Sequence, residues 1–319
     1  MKAASLLILL TSLALAPSAA MAEGAQYYPV PDGAGPHDVA PAPDGTVWYT
    51  AQAAGALGRL DPRTGKAEQI PLGEGSAPHG VIVGPDGAAW VTDGGLNAIV
   101  RVDPVGLAVK AYPLPQSSDY ANLNTAVFGK GGILWFTGQN GLYGSLDPAS
   151  GKIKLYKDPE GRGPYGITTA PDGTVYYASL AGSHITRIDG ATGAAVIIEP
   201  PTRDQGARRV WSDSKGRIWV SEWNAGQVAV YDPASDAWRS WRLPGDRPRA
   251  YAVFVDDDDK VWLSDLGANA IVRFDPVTET FKSFPSDRED ANVRQLLGRP
   301  GEVWGAESGT DRLVVIRTD

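Results

Sequence analysis

Two of the three histidines in this sequence follow a proline, in Pro36-His37 and Pro78-His79, and a carboxylate, Asp93, follows the second pair. A neutral imidazole can accept a proton near pH 7, and an imidazole beside a carboxylate can hold a divalent cation or a developing oxyanion. An elimination or a hydrolysis needs these residue types, provided that the fold brings them together. The alternative is that each Pro-His pair only begins a strand, with the ring bonded to a loop carbonyl.

A repeated segment that contains these residues indicates the fold. Its aromatic anchor recurs seven times, at Trp48, Trp90, Trp135, Tyr176, Trp219, Trp262 and Trp304. The steps between anchors are 42, 45, 41, 43, 43 and 42 residues. A period of about 40–50 residues with several short strands per unit is typical of a β-propeller that has one four-stranded blade per repeat. The sequence therefore predicts an all-β fold, a seven-bladed β-propeller of four-stranded antiparallel blades.

The second repeat shows the predicted blade. A short apolar run at 80–83 suits a buried innermost strand, and Pro85-Asp86-Gly87 suits a tight hairpin turn. Strands at 89–92, 98–102 and 109–114 follow. The last repeat ends after its third strand, whereas the segment 26–30 resembles the outer strands of other repeats. We expect this segment to complete the last blade and close the ring, which removes an exposed sheet edge.

Strand direction predicts which side chains meet. The residue 11 before each anchor and the residue 3 after it are expected on one face, near the central channel. The first set is His37, His79, Asn124, Tyr165, Arg208, Tyr251 and, with a one-residue slip, Arg294. The second set is Ala51, Asp93, Gly138, Ser179, Glu222, Asp265 and Glu307. Both sets are mostly polar and varied, as expected for a pocket on a symmetric scaffold.

Composition narrows the function classes. The chain has no cysteine, which excludes disulfides and thiol chemistry, and its net charge of −8 includes no basic block for nucleic acid. Residues 1–22 are typical of a cleaved secretory signal peptide: one positive charge, an apolar run, and a small-residue end at Ala22. We expect a periplasmic or secreted monomer with one domain, 23–319, no membrane span and no organic cofactor.

Several segments resemble a known family, the streptogramin (virginiamycin B) lyases. They are Pro78-His79-Gly80-Val81, Trp90-Val91-Thr92-Asp93, Trp219-Val220-Ser221-Glu222-Trp223, Asn97-Ala98-Ile99-Val100-Arg101 and Asn269-Ala270-Ile271-Val272-Arg273. The resemblance implies a seven-bladed propeller that linearises a cyclic depsipeptide by Mg²⁺-assisted elimination at its ester. The family's catalytic histidine, glutamate and second histidine fall here on Arg294, Glu307 and Tyr251. Only the glutamate matches, and arginine cannot serve as a general base.

A rotated site is the alternative that the residues offer. We expect the catalytic residues to be His37, His79, Asp93 and Glu307, with Asp93 and Glu307 holding Mg²⁺, or Ca²⁺ as the alternative. The expected substrate-binding residues are Tyr165, Arg208, Glu222, Trp223, Tyr251, Asp265 and Arg294. In that sector Trp223 would stack on a substrate and the arginines would hold a carboxylate or carbonyl, unless the charges are only ion pairs between blades.

Three functions stay open from the sequence. The first is an exported lyase that opens a cyclic ester or related small molecule by metal-assisted C–O elimination. The second is a lactonase-type hydrolase, with a metal held by Asp93, Glu222, Asp265 and Glu307. The third is a non-catalytic propeller that binds a ligand or a protein. In each case the ligand would lie at the central channel.

Overall fold

The computed structural model describes residues 24–116 and 118–318, so the predicted signal peptide lies outside the described residues. The described chain forms seven four-stranded antiparallel sheets, which confirms the predicted seven-bladed propeller. Neighbouring innermost strands pack against one another in chain order around a central channel. None of the helices in the described ranges has the length and apolar character to cross a membrane.

The first three blades follow the chain in order. Blade 1 contains β2 (Pro36–Pro41), β3 (Val47–Ala51), β4 (Ala56–Asp61) and β5 (Lys66–Pro71). Blade 2 contains β6 (Pro78–Val83), β7 (Ala89–Asp93), β8 (Ala98–Val102) and β9 (Val109–Pro113). Blade 3 contains β10 (Leu123–Phe128), β11 (Leu134–Gly138), β12 (Leu142–Asp147) and β13 (Lys152–Lys157). Two 3₁₀ turns, Gln52–Ala54 and Lys130–Gly132, lie in blades 1 and 3.

The next three blades repeat this order. Blade 4 contains β14 (Pro164–Thr169), β15 (Val175–Ser179), β16 (His184–Ile188) and β17 (Ala195–Ile198). Blade 5 contains β18 (Ala207–Ser212), β19 (Ile218–Glu222), β20 (Gln227–Asp232) and β21 (Ala237–Arg242). Blade 6 contains β22 (Ala250–Val255), β23 (Val261–Asp265), β24 (Ala270–Asp275) and β25 (Thr280–Pro285).

Blade 7 joins the two ends of the chain. It contains β26 (Val293–Arg299), β27 (Glu302–Glu307), β28 (Arg312–Arg317) and, as its outer strand, β1 (Ala25–Pro29). β1 pairs antiparallel with β28, and Tyr28 packs its ring 5.5 Å from the ring of Trp304. The predicted ring closure by the N-terminal segment is confirmed.

The anchor tryptophans explain the period of the repeat. Trp48, Trp219 and Trp304 are at most 1% exposed, and they pack in the apolar layers between blades. Each indole still has an N–H that needs an acceptor in this dry environment. Two of these indoles find one near the hairpin: Trp219 donates to Asp213 in the turn before its strand, and Trp304 donates to Glu302 at the start of β27. These hydrogen bonds hold the hairpin against the tryptophan that packs between neighbouring blades.

The outer strand of blade 7 gives the first prediction. Deleting residues 24–30 exposes the edge of β28 and uncovers Trp304, so the melting temperature should fall sharply. Circular dichroism melts of the full and shortened mature chains measure the change. An unchanged melting temperature would show that β1 does not hold the ring closed.

Candidate functional site

Every innermost strand is irregular at the same place, where it begins at the channel mouth. The pairing with the second strand shifts just after its first residue, for example between Pro78 and Gly80 and between Ala207 and Arg209. This irregularity occurs in all seven blades and presents two successive residues to the channel. The outer residues form the upper ring: His37, His79, Asn124, Tyr165, Arg208, Tyr251 and Arg294. Those beneath form the lower ring: Asp38, Gly80, Thr125, Gly166, Arg209, Ala252 and Gln295.

A hydroxyl on the second strand holds many of these irregular positions. Thr50 accepts the backbone N–H of Asp38 at 2.9 Å and donates to the carbonyl of His79, in the next blade, at 2.9 Å. Ser221 does the same for Arg209, at 3.1 Å, and for the carbonyl of Tyr251, at 2.7 Å. The hydroxyl replaces the ladder bond lost at the irregularity and ties each ring residue to the neighbouring blade.

The two histidines meet at the mouth, as predicted. Their ring centroids are 4.0 Å apart. His37 Nδ1 lies 2.8 Å from Asp38 Oδ1, so it carries the proton and donates it, which leaves Nε2 as the basic nitrogen. His79 Nδ1 lies 3.0 Å from the carbonyl oxygen of Asn124, and the Asn124 side-chain amide lies 3.1 Å from His79 Nε2. His79 therefore forms a hydrogen bond to a backbone carbonyl, as expected if its Pro-His pair only begins a strand.

Both imidazoles are held in the neutral form. Burial lowers the pKa of His37 well below 6.5, and the positive charges of Arg209, Arg294 and Arg208 lower it further. Burial also lowers the pKa of His79, and His37 adds to that effect. The mouth consequently contains two neutral imidazoles. Only His37, whose orientation is set by a carboxylate, has a ring nitrogen left to accept a proton, because Asn124 occupies both nitrogens of His79.

A buried ion pair crosses the channel in the lower ring. The Arg209 guanidinium donates to Asp38 Oδ1 at 2.9 Å and to Oδ2 at 3.3 Å, although these residues belong to blades 5 and 1. Their side chains are 5% and 1% exposed. Arg209 also donates to the Thr125 hydroxyl of blade 3 at 3.1 Å. The same carboxylate that orients His37 is thus fixed from the opposite side of the ring.

Arg208 lies in an aromatic cage in the upper ring. Its guanidinium carbon is 3.8 Å from the ring centroid of Tyr251, 4.8 Å from that of Tyr165 and 5.2 Å from that of Trp223. It donates to the Tyr165 hydroxyl at 3.3 Å, and the two tyrosine hydroxyls are 2.7 Å apart. Burial alone would raise the pKa of Tyr251, but Arg208 and Arg209 outweigh it and lower that pKa. Arg294 is 5.6 Å from the same Tyr251 ring.

The structure does not bring the four predicted acids together with the histidines. The carboxylate of Asp93 accepts from Ser76 and the backbone N–H of Ala77, in the loop that leads into blade 2, and from the backbone N–H of Leu96, in the loop after its own strand. Asp265 likewise accepts backbone N–H groups in the loops on either side of it. Glu307 forms a buried ion pair with Arg312 at 2.7 Å. These three carboxylates stabilise loops, and their catalytic or metal-binding roles stay predictions.

Glu222 occupies a separate cavity between blades 4 and 5. The cavity measures about 130 Å³, and its lining includes Pro200, Gln227 and Trp238. The Glu222 carboxyl is 1% exposed and accepts a hydrogen bond from Gln227. Burial raises its pKa from 4.5 to about 7, because no cation compensates for the lost water. This carboxyl therefore lies away from the imidazole pair that was predicted to share its site.

Comparison with known proteins agrees with this fold. The family model described as the virginiamycin B lyase family matches residues 16–248, which is most of the chain. The chain belongs to the virginiamycin B lyase family. A comparison with curated proteins found no match.

Solved structures of this family share the fold. Virginiamycin B lyase from Staphylococcus aureus superposes with a TM-score of 0.85 at 21% identity, over 92% of this chain and 99% of that one. A streptogramin B lyase superposes with a TM-score of 0.84 at 24% identity, over 92% and 97%. The extracellular domain of a hybrid two-component system from B. thetaiotaomicron gives 0.75 at 15% identity, over 93% of this chain and 43% of that one. At these identities the likeness establishes the propeller and not the reaction.

The mouth of this virginiamycin B lyase family member does not fit the Mg²⁺ that the family resemblance implies. Mg²⁺ prefers several oxygen ligands. Among the described residues, the only group of three potential ligands within 4.8 Å is His37, Asp38 and His79, which offers one carboxylate. That carboxylate already pairs with Arg209, and both nitrogens of His79 are bonded to Asn124. The local charge is supplied by arginines instead.

Sequence reasoning missed two features of the site. Asp38 was not expected at the site, because the predicted pattern placed only one residue of each innermost strand at the mouth. The irregular register adds the residue after it. The hydroxyls of Thr50 and Ser221 were also missed, although a threonine or serine two residues after the anchor is a visible signal in several repeats.

The buried ion pair gives a prediction for this family member. Arg209→Met leaves Asp38 buried without its partner, so the free energy of unfolding should fall by about 3–5 kcal/mol. The double variant Arg209→Met/Asp38→Leu should recover part of that loss. Urea unfolding measures both, with Arg63→Met at an exposed turn on the opposite face as the control. Equal stability of the single variant and the wild type would contradict the pairing.

Glu222 gives a pH-dependent prediction. Its folded pKa of about 7 exceeds the ordinary 4.5, so the folded state holds the proton more tightly than the unfolded state. Stability from this group is full below pH 4.5 and is lost as the pH rises toward about 7, by roughly 3 kcal/mol in total. Glu222→Gln should therefore remove this loss. Unfolding curves at pH 4.5 and 8 test it, and parallel pH dependence of the two proteins would exclude the raised pKa.

Proposed function

We propose that the chain is an exported lyase that opens a cyclic ester or a related small molecule at the channel mouth, with His37 as its base and with arginines in place of a metal. The observation that carries the proposal is the His37–Asp38 pair at 2.8 Å, clamped across the channel by Arg209. The family model and the propeller fold support the reaction class. The predicted signal peptide and the extracellular propeller neighbour support export.

The pair sets the tautomer that a base requires. Because Nδ1–H donates to Asp38, Nε2 carries the free electron pair, and it has no hydrogen-bond partner within 24–116 and 118–318. The low pKa of His37, caused first by burial and then by three arginines, keeps this nitrogen unprotonated at pH 7. Asp38 would then stabilise the imidazolium that forms on proton transfer.

The proposed step is an elimination. His37 Nε2 removes a proton from the carbon next to the one that bears the ester oxygen. The electron pair forms a carbon–carbon double bond, the C–O bond breaks, and the ester leaves as a carboxylate in the opened chain. The proton stays on His37 until water removes it, so the product has the mass of the substrate.

The tyrosine pair can stabilise the negative charge that develops. Arg208 donates to the Tyr165 hydroxyl, and a hydrogen bond from Tyr165 to Tyr251 leaves the Tyr251 hydrogen free for a substrate oxygen. The two arginines outweigh the effect of burial and lower the pKa of Tyr251. The lowered pKa makes that hydroxyl a stronger hydrogen-bond donor. No metal is needed in this arrangement.

A non-catalytic binding propeller is the second candidate. It is favoured by His79, because both of its ring nitrogens are bonded to Asn124 and only one imidazole is left with a free nitrogen. The lactonase-type hydrolase has less support, because Asp93, Glu222, Asp265 and Glu307 belong to four blades and are bonded within their own loops and seams.

The test is turnover of a panel of lactones and cyclic depsipeptides, followed by mass spectrometry. Elimination leaves the mass unchanged, whereas hydrolysis adds one water. His37→Gln should lower kcat/KM by about 100- to 10,000-fold, because it removes the base. Chelation with EDTA should change nothing. The wild-type kcat/KM should stay constant from about pH 8 down to 6.5 and fall only at lower pH.

Arg63→Gln, on the opposite face, is the control and should retain full activity. A product heavier than the substrate by one water would show that the protein is a hydrolase and contradict the lyase. Full activity of His37→Gln would remove His37 as the base, and loss of activity in EDTA would contradict the metal-free chemistry. If the wild type turns over no member of the panel, the binding propeller is favoured.

A further inference from the structure

Two arginines at the channel mouth have no acidic partner among the described residues. Arg208 donates to the Tyr165 hydroxyl, and Arg294 donates through Nε to the Ser308 hydroxyl at 3.0 Å. A guanidinium has five N–H donors, so most of the donors on both side chains lack a partner in the described chain. The Nε of Arg208 is buried without any hydrogen bond.

Three other arginines with largely buried side chains are paired. Arg209 pairs with Asp38, Arg299 with Glu302, and Arg312 with Glu307. A partly buried cation without a counter-ion is costly, because it has lost water, and the aromatic rings around Arg208 offset only part of that cost. Arg208 and Arg294 differ from these three in having no carboxylate beside them within the described ranges, although the net charge of the chain is −8.

The unpaired charges share one surface. Both guanidinium carbons lie within 5.6 Å of the centroid of the Tyr251 ring. Trp223 is half-buried, and its ring is 5.9 Å from that of Tyr251, at 85°. The mouth therefore offers planar, charged donors beside a half-buried indole ring, which suits a flat anionic group attached to an apolar body.

We propose that Arg208 and Arg294 hold a carboxylate group of the ligand, so that the substrate of this protein is an organic anion whose apolar part lies on Trp223. A carboxylate accepts two parallel N–H bonds from a guanidinium, and this bidentate geometry suits a site built from two arginines and flat rings. The inference extends the proposed function. It depends on that function only in calling the ligand a substrate, because binding can be measured without turnover.

Isothermal titration tests the charge requirement with two matched probes. Phenylacetate and phenylacetamide share the aromatic body and differ in the carboxylate. Phenylacetate should bind at least 10-fold more tightly than phenylacetamide to the mature chain. Its affinity should fall as NaCl is raised, because the attraction is electrostatic. Inorganic phosphate is the third probe and should bind more weakly than phenylacetate.

The variants Arg208→Gln and Arg294→Gln should each weaken phenylacetate binding by at least 10-fold and leave phenylacetamide binding unchanged. Arg294 has one side-chain hydrogen bond, so its variant should fold even if the caged Arg208 variant does not. Arg63→Gln is the matched control, since it removes an arginine from the opposite face. Melting temperatures of all variants confirm folding.

Equal affinity for the acid and the amide, or undiminished phenylacetate binding by Arg294→Gln, would overturn the proposal. Tighter binding of phosphate would overturn the carboxylate as the anion. The proposed function fails separately: carboxylate binding with no turnover of any ester supports the anion site and contradicts the lyase. Turnover of neutral esters that is unaffected by Arg294→Gln supports the lyase and contradicts the anion site.

Discussion

The site depends on one repeated hydrogen-bond arrangement, in which a hydroxyl of the second strand bridges two blades. Thr50 and Ser221 each accept a backbone N–H from the irregular start of the innermost strand in the same blade. Each donates to the backbone carbonyl of an upper-ring residue in the next blade. Buried backbone groups must be paired, so the hydroxyl compensates for the strand hydrogen bond that the irregularity removes. It also fixes the position of the irregular segment relative to the next blade. The result is two rings of side chains, and the chemistry can vary without changing the scaffold.

The lower ring then determines the electrostatics of the upper one. The carboxylate of Asp38 is held by Arg209 from across the channel, and it orients His37 in turn. Because the positive charge of Arg209 is neutralised by Asp38, the remaining positive charge at the mouth comes from Arg208 and Arg294. The family resemblance predicts histidines at the positions of Arg294 and Tyr251, whereas the two histidines at this mouth lie on blades 1 and 2.

Much of the architecture could be predicted from the sequence, because the anchor aromatics and turn residues repeat visibly. The seven blades, the closure by β1 and the meeting of His37 with His79 all follow from period and strand direction. The orientation of the acids could not be predicted. Asp93 and Glu307 end their strands at the correct face. The Asp93 carboxylate nevertheless bonds to a nearby loop and that of Glu307 to Arg312, and neither period nor strand direction specifies these contacts. The pairing of Asp38 with Arg209 spans blades 1 and 5 and has no local sequence signal.

The central claim is that His37 is a neutral imidazole with its proton on Nδ1, oriented by Asp38. Long-range ¹H–¹⁵N NMR of histidine-labelled protein observes this state directly. The account predicts a protonated Nδ1 and an unprotonated Nε2 at pH 7, unchanged by EDTA. An imidazolium at pH 7, or a proton on Nε2, would contradict it.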